Sequence, residues 1–172
     1  MNTMSMTASA SLTDAHLLCV HEAGHAIGAA LAGARIDECF ARPTEGAVRW
    51  SNADYPAGPE ISYWGIYAEA RAAYGGRPPL SMLREYLANA TPEDLEAFGG
   101  TPRLLRHIEP QIEAAMPMVR DLALKIYRRG TATHADVEAA MGVGPGTSLA
   151  AVRSMLRQGI DPRSVLAPGA GL

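Results

Sequence analysis

His21-Glu22-Ala23-Gly24-His25 sets two imidazoles four residues apart, with a carboxylate directly after the first. On a helix, positions i and i+4 lie one turn apart on the same face, so two ring nitrogens can converge on one cation at about 2.0–2.1 Å each. Zn2+ suits such a pair of neutral imidazoles, and it would activate a water and polarise a carbonyl. Glu22 projects beside the pair as a neighbour of the metal and not a ligand. There it can take the water's proton and return it to a leaving amine. The chemistry that follows is hydrolysis of a peptide bond. A helix whose two histidines are satisfied by ordinary hydrogen bonds is the plainer alternative.

The surrounding pattern supplies the helix. From Thr13 onward Leu17, Leu18, Val20, Ile27 and Leu31 recur at helical spacing, Ser11 and Asp14 resemble a capping pair, and Gly33 gives a stop. Gly24 and Gly28 remove side chains where another backbone could come close. Residues 1–12 lack this periodicity and read as a flexible N-terminal arm. Arg35–Phe40 and Ala47–Trp50, joined through Pro43-Thr44-Glu45-Gly46, pair as a short hairpin whose edge could bind extended substrate by strand addition. After a loop over Ser51–Pro59, helices are expected at Glu60–Tyr74, Leu80–Ala90, Pro92–Phe98 with Thr91 as cap, and Pro102–Arg129, broken or kinked at Pro110 and Pro117. His134–Met141, capped by Thr133, and Thr147–Gln158 complete the set. The fold class is mostly α with a small β-hairpin: a domain over 13–142, then a C-terminal helix and loose tail over 143–172.

The chain has 172 residues, 48% of them apolar and 19% charged, which excludes disorder throughout and a disulfide-dense miniprotein. A net charge of −3 argues against a nucleic-acid binder. Cys19 and Cys39 are too few for a disulfide framework or a four-thiolate zinc site, and read as small buried residues of a reducing compartment. The first residues lack the basic and apolar regions of a secretory signal. Ala15–Ala34, the most apolar stretch, is interrupted by His16, His21, Glu22 and His25, so no membrane span is expected and the location expected is cytoplasmic. His16 falls about 140° around the helix from His21 and does not join the pair. His134 reads as a surface or cap residue, and Trp50 and Trp64 as packing or groove-lining residues.

The string Val20-His-Glu-Ala-Gly-His-Ala-Ile27 resembles the active-site helix of the FtsH family of AAA-linked zinc metalloproteases, which reads HEAGHA. Further resemblances follow in order. Gly65-Ile-Tyr-Ala-Glu69 with Gly75-Gly76 is similar to that family's G-R-x-A-E-E segment, Thr91-Pro-Glu-Asp94-Leu95 to its S-N-D-L segment, and Leu122 to Met141 to its closing helices. The resemblance implies a zincin-like helical protease domain over about residues 13–142. It also implies that Asp94 completes the metal site with His21 and His25, since a catalytic zinc wants three protein ligands and one open position. On its own, Asp94 is an acidic residue in a first helical turn, where the dipole favours it. Glu69 is the second choice as ligand, or an acceptor that orients a ligand histidine, and His107 is a distant third. Ile66 and Ala70 depart from the family's usual Arg and second Glu. No G-x-x-x-x-G-K-[ST] phosphate loop occurs, so the resemblance is to the protease domain without its ATPase.

The function expected is a zinc metallopeptidase acting on peptide or protein substrate independently of ATP, with Glu22 as the general base. It would work alone, as a homo-oligomer or with a separate partner protein. The alternative is a non-catalytic binding or regulatory module that keeps zinc as a structural element; a helical interaction protein without metal is the third reading. Glu22 favours the enzyme, because a structural zinc site needs ligands but no base.

Overall fold

The helix that carries the histidine pair, α1, runs from Met4 to Leu31. A computed structural model describes residues 4–43, 45–53, 57–144 and 147–166, with side chains described from Thr13 onward. The arm expected over residues 1–12 is therefore helical from Met4. Once nucleated, a helix extends at little cost through Ala, Met and Ser, which apolar periodicity does not register. From Cys19 to Ala32 every residue of this segment is buried, on all faces. A helix buried all round is a central helix, and its many alanines let neighbours close in on every side.

Two strands follow, β1 (Arg35–Arg42) and β2 (Glu45–Ser51). They pair antiparallel with Arg42 opposite Glu45, Cys39 opposite Val48 and Ile36 opposite Trp50, with an irregularity between Ile36 and Glu38. The hairpin is as expected, but the strands run up to a two-residue connection at 43–44, and Thr44 lies outside the described residues. The far edge of β1 is taken by the chain after the fifth helix: Ala132 N–H donates to the Cys39 carbonyl (2.9 Å) and Ala41 N–H to that of Gly130 (3.2 Å). The far edge of β2 has no strand partner among the described residues.

The remaining helices are α2 (Gly58–Tyr74), α3 (Leu80–Ala88), α4 (Pro92–Ala97), α5 (Glu109–Arg129), α6 (His134–Ala140), α7 (Leu149–Arg157) and α8 (Pro162–Leu166). α2 and α5 flank α1, and Ile61, Tyr63, Ile66 and Tyr67 of α2 share one core with Ile112, Met116, Val119, Leu122 and Ile126 of α5. The helix expected from Pro102 begins seven residues later. Pro110 starts it, since a first-turn residue needs no N–H, and α5 then continues through Pro117. α7 packs on α5 and α1 through Val152 and Leu156, and α8 lies where a loose tail was expected; residues 167–172 of that tail lie outside the described residues. Among the described residues no helix is long and apolar enough to cross a membrane.

α6 is set by a capping box. The Thr133 hydroxyl accepts from Asp136 N–H, and the Asp136 carboxylate accepts from Thr133 N–H at 2.9 Å. Lys125 of α5 donates to the same carboxylate at 2.8 Å. That bond first, and the Thr133 bonds next, hold Asp136 down to about 2. A carboxylate held below its ordinary value stabilises the fold above pH 4 and loses that contribution as pH falls toward 2. Asp136→Asn should therefore cost about 1 kcal/mol at pH 7, the net size of a typical hydrogen bond. Urea denaturation at pH 7, 4 and 3 should show the deficit shrinking with acid.

Candidate metal centre

α1 brings Nε2 of His21 and Nε2 of His25 to 2.7 Å, with the rings edge to face. The other nitrogen of each ring is engaged: His21 Nδ1 lies 2.9 Å from Oε2 of Glu69, and His25 Nδ1 donates to the Ile61 carbonyl at 2.9 Å. Both partners are acceptors, so the ring proton is drawn to Nδ1 and the Nε2 lone pairs face the same point. Asp94, 4% exposed, faces that point from α4, with Oδ2 3.4 Å from His21 and Oδ1 3.3 Å from His25. His21, His25 and Asp94 thus form a buried group whose donor atoms lie within 4.8 Å of one another and which could hold a metal ion.

Close helix packing makes this arrangement possible. A Cβ on Gly24 would lie 2.7 Å from the Trp64 carbonyl oxygen, and one on Gly65 would lie 2.3 Å from Cε1 of His25. With neither present, α1 and α2 meet backbone to backbone, and α2 can offer both Ile61 and Glu69 to the rings. On α4 the cap does two jobs. The Thr91 hydroxyl accepts from Asp94 N–H (3.2 Å), starting the helix, and donates to Asp94 Oδ2 (3.0 Å), orienting the carboxylate. Ser62 of α2 adds a further hydrogen bond to Asp94.

Two imidazoles and a carboxylate are a donor set that could hold a metal ion. Tetrahedral bonds of about 2.0–2.1 Å separate ligand atoms by about 3.3 Å; the His–Asp contacts have that length, each ring meeting a different oxygen of Asp94. The His–His separation is shorter, the spacing of a shared proton that a metal would replace. Burial resists charge on both rings. On His21, bonds to Asp94 and Glu69 overcome it and push the ring up to about 10, while burial and the neighbouring His21 push His25 down to about 4. Burial also works against the Asp94 carboxylate, but the hydrogen bond from His21 and the charges of both rings prevail and hold it down to about 2.

Glu22 is 5% exposed, and no described residue donates a hydrogen bond to it. Burial first, then Asp94 and Glu69 against the opposing pull of His21, push its carboxyl up to about 7. Its space comes from Gly46 of β2, where a Cβ would lie 2.5 Å from Oε1. Two cavities meet at His21, Glu22 and Gly46. The larger, about 650 Å³, extends toward α3 and Tyr86; the smaller, about 350 Å³, runs along β2 past Val48 and Trp50.

Of the residues singled out by sequence, the structure gathers His21, Glu22, His25 and Asp94, and puts Glu69 behind His21 as an orienting acceptor. His107 stands apart, its side chain 65% exposed and paired with Glu60. His16 lies against Tyr127, and His134 accepts the Ile36 N–H at 3.2 Å. Trp50 lines the smaller cavity, while Trp64 is buried beneath Gly28. Sequence reading missed the Ile61 carbonyl, Ser62, and the roles of Gly46 and Gly65. A carbonyl carries no residue signature, and Gly65 was visible only as part of a motif. No family model matches the chain, and neither a curated protein nor a solved structure does.

Competition with a chromogenic chelator should show metal binding abolished by His21→Ala, and weakened more by Asp94→Asn than by Glu69→Gln, for which a loss of roughly 10- to 100-fold is expected. Gly65→Ala, which drives a methyl into the His25 ring, should lower affinity at least as much as Glu69→Gln. Equal affinity in Gly65→Ala and the parent would show that the α1–α2 contact does not position the ring.

Proposed function

We propose that the chain is a zinc metallopeptidase of FtsH-like type that hydrolyses peptide bonds without an ATPase of its own. The observation that carries this reading is Glu22: a side chain 5% exposed whose carboxylate opens on the junction of two cavities, one residue from a member of the His–His–Asp group. A site that used metal only to hold the fold together would have no use for it. The resemblance of His21–Ala26 to the HEAGHA helix supports the same reading.

His21, His25 and Asp94 would hold the zinc, which when bound supplies a Lewis acid for water activation and carbonyl polarisation. Glu22 accepts the water's proton on its carboxylate and delivers it to the departing amine. Glu69 and the Ile61 carbonyl fix the ring orientations, and Thr91 and Ser62 fix that of Asp94. The edge of β2 that no described strand pairs, beside Glu22 at Gly46, offers backbone groups to an extended peptide by strand addition. The cavities on either side leave room for residues flanking the scissile bond.

Glu22→Gln preserves size and hydrogen-bonding capacity but cannot take up the proton. At matched zinc occupancy it should keep its metal and its melting temperature and lose about 10²–10⁴-fold in the rate of peptide cleavage, read by mass spectrometry on a peptide library. Undiminished cleavage would remove Glu22 from the mechanism. Absence of cleavage by the zinc-loaded parent would favour a non-catalytic binding module.

A further inference from the structure

We infer that the larger cavity is a specificity lobe for a cationic side chain, so that the substrates are peptides carrying Lys or Arg on one side of the scissile bond. That the ligand is a peptide rests on the metallopeptidase reading; that it is cationic rests on the lobe itself. Five glutamates line the cavity, Glu22, Glu45, Glu69, Glu85 and Glu93, and no Lys or Arg is among its lining residues. Each comes from a different element, α1, β2, α2, α3 and α4. Glu45 is partly answered by Arg42 at 2.7 Å and Glu69 by His21. Glu85 and Glu93 have no ion-pair partner among the described residues, and the buried Glu22 carboxylate faces the cavity without a hydrogen-bond donor.

The shape of this charge argues for a side chain and against a second metal ion. Among the described residues, the groups of three or more potential ligands that converge within a coordination sphere reduce to His21, His25 and Asp94. The glutamates of the lobe surround a volume of about 650 Å³ and do not converge on a point. Between them Leu18, Ile66, Pro92 and the ring of Tyr86 give apolar wall, beside the polar Asn89 and Thr91. A lysine or arginine matches both features, with an aliphatic stem for the walls and a charged head for the carboxylates. The smaller cavity shares Glu22 and Glu93 with the larger and also meets Asp94, but its lining adds a cation, Arg49, and the apolar Ala47, Val48, Trp50 and Ala97. The larger cavity therefore carries the greater excess of carboxylates, with five glutamates and no cation in its lining.

The test is binding. Fluorescein-labelled hexapeptides differing at one position, Lys, Arg, norleucine or Glu, are titrated by anisotropy against the full chain, with and without zinc, in low and moderate salt. The Lys and Arg peptides should bind roughly tenfold more tightly than the norleucine peptide, the sum of two or three partly exposed charge pairs. Added salt should reduce the preference. Glu85→Gln/Glu93→Gln, at two exposed positions, should cut it about threefold or more and leave norleucine binding unchanged, and Glu85→Lys/Glu93→Lys should turn it toward the Glu peptide. Equal binding of Lys and norleucine peptides would overturn the proposal. So would a preference that survives both double variants in folded protein, checked by circular dichroism. If a double variant fails to fold, the peptide and salt series on the unmodified chain decides. Tight binding of Lys peptides without cleavage at any zinc occupancy would tell against the peptidase and leave the lobe standing; cleavage without charge preference would do the reverse.

Discussion

α1 and α2 touch along bare backbone at Gly24 and Gly65, and the orientation of both histidines follows from that contact. An imidazole on α1 presents Nε2 to a metal only if something holds Nδ1, and the holders, the Ile61 carbonyl and Glu69, both belong to α2. Were the helices separated by one methyl group more, His25 would meet it before reaching Ile61. Packing density leaves no slack for such a change, since protein interiors tolerate even a methylene poorly. The site is therefore a property of a helix pair and not of the His-Glu-x-x-His string alone.

α2 is in turn held from its other side. Tyr63 donates to Glu109 of α5 at 3.0 Å, Tyr67 to Glu113 at 2.8 Å, and Arg71 to Glu113 at 3.1 Å. Glu109 is only 3% exposed, and Arg77 completes its bonding at 3.0 Å. Polar contacts of this kind add little net stability, but they are costly to leave half-made and so fix the rotation of α2 about its axis. That rotation aims Ile61 and Glu69 at the rings. Burying Glu22, Asp94 and two histidines together is unfavourable unless the charges answer one another. The hydrogen bonds from Thr91 and Ser62, and the network through Glu69, answer most of them. Glu22 is the member whose only opposite charge is that of His21, and burial pushes its carboxyl up to about 7.

Local rules made the helices and the hairpin legible. Thr91 and Thr133 were readable as caps because a hydroxyl before a helical run has few better uses, and both hold those places. The histidine spacing was readable because a helix repeats every 3.6 residues. Asp94 was different. Nothing local separates it from any acidic residue in a first turn, and it came forward through the order of motifs in a resemblance. What could not be read was tertiary: the Ile61 carbonyl, the bare backbone of Gly46 beside Glu22, and the choice between Glu69 as ligand and as support. Each depends on which elements meet, information that a chain carries collectively and not at a position. The N-terminal extension of α1 from Met4 was missed for the opposite reason, since Ala, Ser and Met continue a helix without any apolar stripe to announce it.

His21, His25 and Asp94 are proposed to share one ion. Zinc K-edge X-ray absorption of the zinc-loaded protein addresses it directly, since the first coordination shell reports element and distance whether or not any peptide is cleaved. The expected shell holds two imidazole nitrogens and carboxylate oxygen at about 2.0–2.1 Å, with the outer-shell scattering of two histidine rings. A shell containing sulfur, or one with a single imidazole, would place the metal elsewhere and contradict it.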